Sequence, residues 1–310
     1  MKTWIKTLAA TCAIIPFAQC ASIPLGAGTA IAAEPAATKI VDADPALWVV
    51  KDADTTIYLF GTVHVLKPGL GWFDEAVKAA FDKSDQLMLE VVVPEDQSEI
   101  IGVMVPLAID QTGKGLPSRL SAEELKAYQA AMTGQGLPAN QFDAFEPWLP
   151  AITLSVLPLT KLGYDPEKGA EKELTRFAKA ANKPVAGLET LTEQLGFFDK
   201  LPETVQVTFL NGVVRDIDKL GPLLDNMVDL WAKGDPGGLS AVMNESMAEA
   251  PEVAEALLYQ RNARWADTLK ARMDQPGTIF VAVGAGHLAG QKSVQDYLKE
   301  RGLTATRVDY

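Results

Sequence analysis

Between Thr56 and Val93 the chain sets an apolar run, an amphipathic stretch and a second apolar run in close succession, and that order constrains the fold more than any other feature. Thr56-Ile57-Tyr58-Leu59-Phe60 reads as a buried strand that stops at Gly61. Residues 72–84 then place Phe73, Val77, Ala80 and Phe81 on one helical face. The apolar run 86–93 is a second strand, ended by Pro94. Strand, helix and strand at this spacing make a βαβ unit, so the two strands should be parallel with a right-handed crossover. The end of the chain repeats the pattern, with a strand over 278–283, a Gly-rich turn, a helix over 293–300 and a last strand over 305–308.

The middle is mostly helical. Ser121 and Glu124 form a capping box before a helix over 125–132, and Pro147, Pro150 and Pro158 punctuate the run that follows. An amphipathic helix is expected over 167–181, then a short strand over 184–188 running into Glu189-Thr190. Residues 202–273 read as helical, with breaks at Gly221-Pro222, at 234–238 and at Pro251. The expectation is an α/β fold: a mixed, largely parallel sheet with an inserted helical cap. It forms one domain over 34–310, with helical insertions at about 95–160 and 200–275. With 48% hydrophobic and 22% charged residues the chain can bury a sizeable core. A net charge of −12 argues against a nucleic-acid partner and leaves peptides or small molecules.

Residues 1–33 read as a signal peptide. Lys2 and Lys6 make a basic start, 8–33 carries no charge, and Ala30-Ile31-Ala32-Ala33 offers small residues for cleavage near Ala32 or Ala33. Pro16, Pro24, Gly26 and Gly28 disfavour a stable spanning helix, and Gln19 disfavours lipid attachment at Cys20. The expected product is periplasmic or secreted, without a stable membrane anchor. It would lack cysteine, because Cys12 and Cys20 leave with the signal.

The chain has only two histidines, and both follow an apolar strand by the same spacing. His64 lies in Gly61-Thr62-Val63-His64 and His287 in Gly284-Ala285-Gly286-His287. Ligands of open α/β sheets bind beyond the carboxyl ends of the strands, so the two turns are expected to meet there. Gly284 to Gly290 superficially resembles a dinucleotide fingerprint, but its GxGxxxG spacing is one residue too long. Glu90 stands in an apolar strand and Glu189 at the end of another. Arg261, between Leu257 and Trp265 on one helical face, interrupts an apolar stripe and calls for a carboxylate partner; Asn262 is beside it. Met227, Met243 and Met247 read as core filler.

These residues together resemble the TraB/PrgY/GumN family, which includes the TIKI proteases. Leu59 to His64 resembles its first signature and Leu87-Met88-Leu89-Glu90 the acidic strand after it. Gly187-Leu188-Glu189-Thr190 with Gln194 is similar to its LET…Q segment, Arg261-Asn262 to its RN pair, and Val283 to Leu288 to its closing signature. The resemblance implies a fold shared with erythromycin-esterase-like and ChaN-like proteins. In the TIKI branch it implies a peptidase that depends on a divalent metal. Carried over, it gives His64, Glu90 and His287 as ligands of one ion, Mn, Co or Zn, which activates water. Glu189, Arg261 and Asn262 complete the expected site, with Arg261 steadying the oxyanion. Two alternatives stay open: a metal-free hydrolase with a histidine base, and a non-catalytic binding module for haem or a small anion.

Overall fold

The computed structural model describes residues 40–247 and 251–310. The expected signal peptide with both cysteines, and the side chain of Met247, lie outside the described residues. Two short parallel strands, β1 (Val41–Asp42) and β4 (Leu70–Gly71), pair apart from the main sheet. That sheet runs from edge to edge as β6 (Val185–Glu189), β5 (Gln86–Val91), β7 (Gly277–Gly284), β3 (Thr55–Thr62), β2 (Leu47–Lys51) and β8 (Thr306–Arg307). The first four are mutually parallel, whereas β2 runs antiparallel to both β3 and β8. The mixed, largely parallel α/β core expected from the sequence is the one observed.

β3 and β7 are central and buried on both faces, which is why they read as unbroken apolar runs rather than as alternations. On one face Phe60 and Phe280 meet Trp72, Trp231 and Phe81. This side is covered by α1 (Glu75–Lys83), the βαβ crossover helix, and by the helical insertions. On the other face Ile57, Leu59, Ile279, Val281 and Val283 pack with Trp265, Leu269 and Leu298.

The first insertion contains α2 (Gln97–Ala108), α3 (Ala122–Gly134) and α4 (Trp148–Lys161); α3 opens with the Ser121–Glu124 capping box. A 3-10 turn over Pro166–Lys168 precedes α5 (Ala170–Ala180), so the helix read over 167–181 begins later. The second insertion continues from α6 (Leu191–Asp199) through α7 (Glu203–Asp216), α8 (Leu220–Ala232) and α9 (Pro236–Met247). Gly221-Pro222 does not break it: both lie in the first turn of α8, where proline's missing N–H costs nothing. The last long helix starts as α10 (Pro251–Ala254), widens into a π turn over Glu255–Tyr259 and continues as α11 (Gln260–Arg272). The final helix is α12 (Val294–Glu300). Met227 and Met243 are core filler. No helix among the described residues is long and apolar enough to cross a membrane.

Candidate active site

The register of the sheet brings the singled-out residues to one edge. Thr62 of β3 lies opposite Gly284 of β7, so the two GxxH turns leave adjacent parallel strands side by side. Glu90 stands next to last in β5, and Glu189 ends β6. Four neighbouring strands therefore deliver His64, His287, Glu90 and Glu189 at their carboxyl ends, all of them buried. Gly61 permits this by close approach: a Cβ there would stand 3.0 Å from the Ala285 Cα, where the second turn folds back over β3.

Arg261 gathers the carboxylates. Its Nε donates to both oxygens of Glu189 at 3.0 Å, and Nη2 donates to Glu189 Oε2 and Glu90 Oε2 at 2.7 Å each. Nη1 donates to the carbonyl of Leu257 at 3.0 Å, inside the π turn, and faces His287 Nε2 at 3.3 Å. Every N–H of the guanidinium is thereby committed to the protein. Arg261 thus has no donor left for an oxyanion, and its part is to hold the glutamates. Glu90 also accepts from Gly284 N at 2.6 Å and Gln194 Nε2 at 3.1 Å, and Glu189 from Trp265 Nε1 at 3.0 Å.

His287 is wholly buried beneath this network, with its ring 4.3 Å from that of Trp265. Asn262 Oδ1 lies 2.5 Å from its Nδ1, and Asn262 Nδ2 donates to the carbonyl of Lys292 at 2.8 Å. A guanidinium only donates, so Nε2 accepts and the ring proton sits on Nδ1, donated to Asn262. Burial, then the charge of Arg261 and that of His64 when it gains a proton, push His287 well below the usual histidine range and keep it neutral. Glu90 moves the other way, raised by burial against the pull of Arg261 and His64.

His64 has a partner that sequence reasoning missed. Its Nδ1 pairs with Glu171 Oε1, which also accepts from Thr62 Oγ1 at 2.5 Å. Burial raises the Glu171 carboxyl, but His64 and Thr62 outweigh it and hold the group below the usual carboxylate range. The start of α5 is locked onto the histidine turn: Ala170 N donates to Val63 O at 3.0 Å, and a Cβ on Gly169 would collide with the His64 carbonyl. The legible signal was Gly169-Ala170-Glu171 opening a helix just after Pro166. On an amphipathic helix, however, such a glutamate reads as a solvated one.

His64, Glu90 and Glu171 line a cleft of about 320 Å³ between the end of β5 and α5, together with Leu89, Val91 and Val93. The expected metal ligands do not fit a divalent ion as they are arranged. Glu90 is held by Arg261, Gln194 and a backbone N–H, and the lone pair of His287 Nε2 faces a cation 3.3 Å away. Among the described residues no group of three or more His, Cys, Asp or Glu is placed to hold a metal ion. Arg261 supplies the positive charge that the two buried glutamates require.

The profile of the TraB/PrgY/gumN family matches residues 46–307. The chain belongs to the TraB/PrgY/gumN family. Among relatives of this TraB/PrgY/gumN chain, Uncharacterized protein YbaP of Escherichia coli K12 is 25% identical over 255 residues, 82% of this chain and 92% of its own length. An Uncharacterized protein of Treponema pallidum is 24% identical over 275 residues, covering 83% and 80% of the two chains. The Metalloprotease TIKI homolog of Amphimedon queenslandica is 23% identical over 314 residues, covering 84% of this chain and 61% of its own. No solved structure matches.

Proposed function

We propose that the chain is a hydrolase in which His64, oriented by Glu171, takes a proton from water in the cleft at the end of β3 and β5. The observation that carries this is the His64–Glu171 pair, buried in the wall of a cavity large enough for a substrate segment. A carboxylate on Nδ1 fixes the ring's tautomer, makes Nε2 the basic atom and stabilises the imidazolium that forms. Thr62 holds that carboxylate in turn. Glu90, an ionised carboxylate held by Arg261, lines the same cleft and steadies the His64 imidazolium, which then returns its proton to the leaving group. Arg261, Asn262 and His287 act beneath as positioning residues: Arg261 places Glu90, and Asn262 and His287 brace Arg261.

The name of the Amphimedon queenslandica relative, a metalloprotease homolog, supports a peptide bond as the target. Export of the mature chain, read from Lys2, Lys6 and the uncharged 8–33 segment, belongs to the same proposal; fractionating cells that express the full chain and locating the protein checks it.

The test is cleavage of a mixed peptide pool followed by mass spectrometry. His64→Ala should lower the rate by about 10²–10⁴-fold, the range for loss of a general base. Glu171→Gln should lower it less and shift the pH profile. Turnover that survives a chelator supports the histidine-base mechanism. Turnover that appears only with added Mn, Co or Zn would replace it with a metal-dependent one, and an unchanged rate in His64→Ala would end the proposal.

A further inference from the structure

Chemistry is graded along the cleft. At its inner end lie His64, Glu90 and Glu171; its floor is apolar, made by Leu89, Val91, Val92 and Val93, with Val92 45% exposed. Its outer flank carries three cations on one side of α5: Lys172, Arg176 and Lys179. In a chain of net charge −12 this flank is locally balanced, its three cations matched by Glu167, Glu173 and Glu95, of which Glu95 and Glu167 also line the cleft. Each cation has an acidic neighbour: Lys172 is 3.8 Å from Glu167, Arg176 is 2.7 Å from Glu173, and Lys179 meets Glu95 across the rim. Such exposed pairs are worth roughly 0–1 kcal/mol, so an incoming carboxylate can displace the resident one at little cost.

Spacing turns this gradient into a specificity. Glu171 marks the reacting end, and α5 advances about 1.5 Å per residue from it. Arg176 therefore stands roughly 8 Å along the helix and Lys179 about 12 Å. An extended peptide covers about 3.3–3.6 Å per residue. A carboxylate two to four residues from the scissile bond would meet these side chains. The backbone between would lie along Val91–Val93, which offers apolar contact to an intervening side chain.

Resting on the hydrolase reading, we propose that the cleft selects an extended peptide carrying an apolar residue beside the scissile bond and an acidic residue or C-terminal carboxylate two to four residues away, held by Arg176 and Lys179.

The test measures binding apart from turnover. Dye-labelled decapeptides with one Leu, followed at the second, third or fourth position by Asp, Asn or Lys, are titrated into the full mature chain by fluorescence anisotropy. The His64→Ala variant is used so that nothing is cleaved. Asp peptides should bind about tenfold more tightly than Lys peptides, with a preference that fades as salt rises. Arg176→Glu/Lys179→Glu should reverse that order, and circular dichroism checks that the variant is folded. Equal affinity for Asp, Asn and Lys peptides, unchanged order in the charge-reversed variant, or no binding of any peptide would each overturn the selectivity. If Asp peptides bind selectively but the wild-type chain cleaves none of them, the selectivity stands and the hydrolase reading falls.

Discussion

At the scale of single residues, Arg261 shows how much a sequence can say about a buried charge. A guanidinium in an apolar helical stripe demands a carboxylate, and the structure supplies two, Glu90 and Glu189. What the stripe does not reveal is that both partners, His287 and the Leu257 carbonyl together absorb every donor, which turns an expected oxyanion ligand into a brace. Glu171 is the reverse case. Its sequence setting is bland, and only the fold shows that it faces His64. Arg261→Met should leave two buried carboxylates without their cation and cost about 3–5 kcal/mol, read as a lower urea midpoint. Removing one of the stranded charges as well, in Arg261→Met/Glu189→Gln, should cost less than the sum of the single changes. Additive losses would show that the two groups do not act as one unit.

At the scale of elements, the βαβ unit was legible because β3 and β5 are buried runs separated by a helix with a clear apolar face. The strand β2 was not read from the sequence. It pairs with β3 through a tight Asp52-Ala53-Asp54 connection that carries neither glycine nor proline, and Asp52 Oδ1 accepts from the Thr55 N–H at 2.9 Å to close it. The docking of α5 on the histidine turn was equally hidden, because it depends on what Gly169 lacks rather than on what it carries. Gly169→Ala must push α5 away from the His64 carbonyl. A loss of about 1–3 kcal/mol, as for other overpacked sites, should accompany at least a tenfold fall in activity. Gly102→Ala on α2 is the control. A Cβ there meets nothing within 4 Å, so thermal melting should show a gain of roughly 0.5–1 kcal/mol with activity unchanged. If both variants lose activity alike, the contact between α5 and the turn is not what orients His64.

At the scale of the whole molecule, the parallel sheet converts dispersed sequence positions into one site, so positions 64, 90, 189 and 287 become neighbours only through strand order. The helical insertions leave a weaker imprint on the sequence, since their ends are set by loops and by contacts with one another. Asp110 is such a contact, and it ties global stability to pH. It accepts from Thr112 N and Oγ1, Gly115 N and Arg119 Nη2, and so pins the loop between α2 and α3. The Thr112 hydroxyl does most to lower its carboxyl, burial opposes it, and the backbone N–H groups and Arg119 complete a fall from 3.8 to about 2. A carboxylate more acidic in the folded state stabilises the fold fully above its unfolded value. That stabilisation is lost as pH falls through the folded one. Urea unfolding of the wild type should therefore lose this contribution between pH 3.8 and about pH 2. Asp110→Asn should be less stable at neutral pH by about 1.5–3 kcal/mol, the worth of hydrogen bonds to a charged group. The gap between the two proteins should then close as pH falls through the same window. A gap that stays constant down to pH 2 would show that the loop depends on the shape of residue 110 and not on its charge.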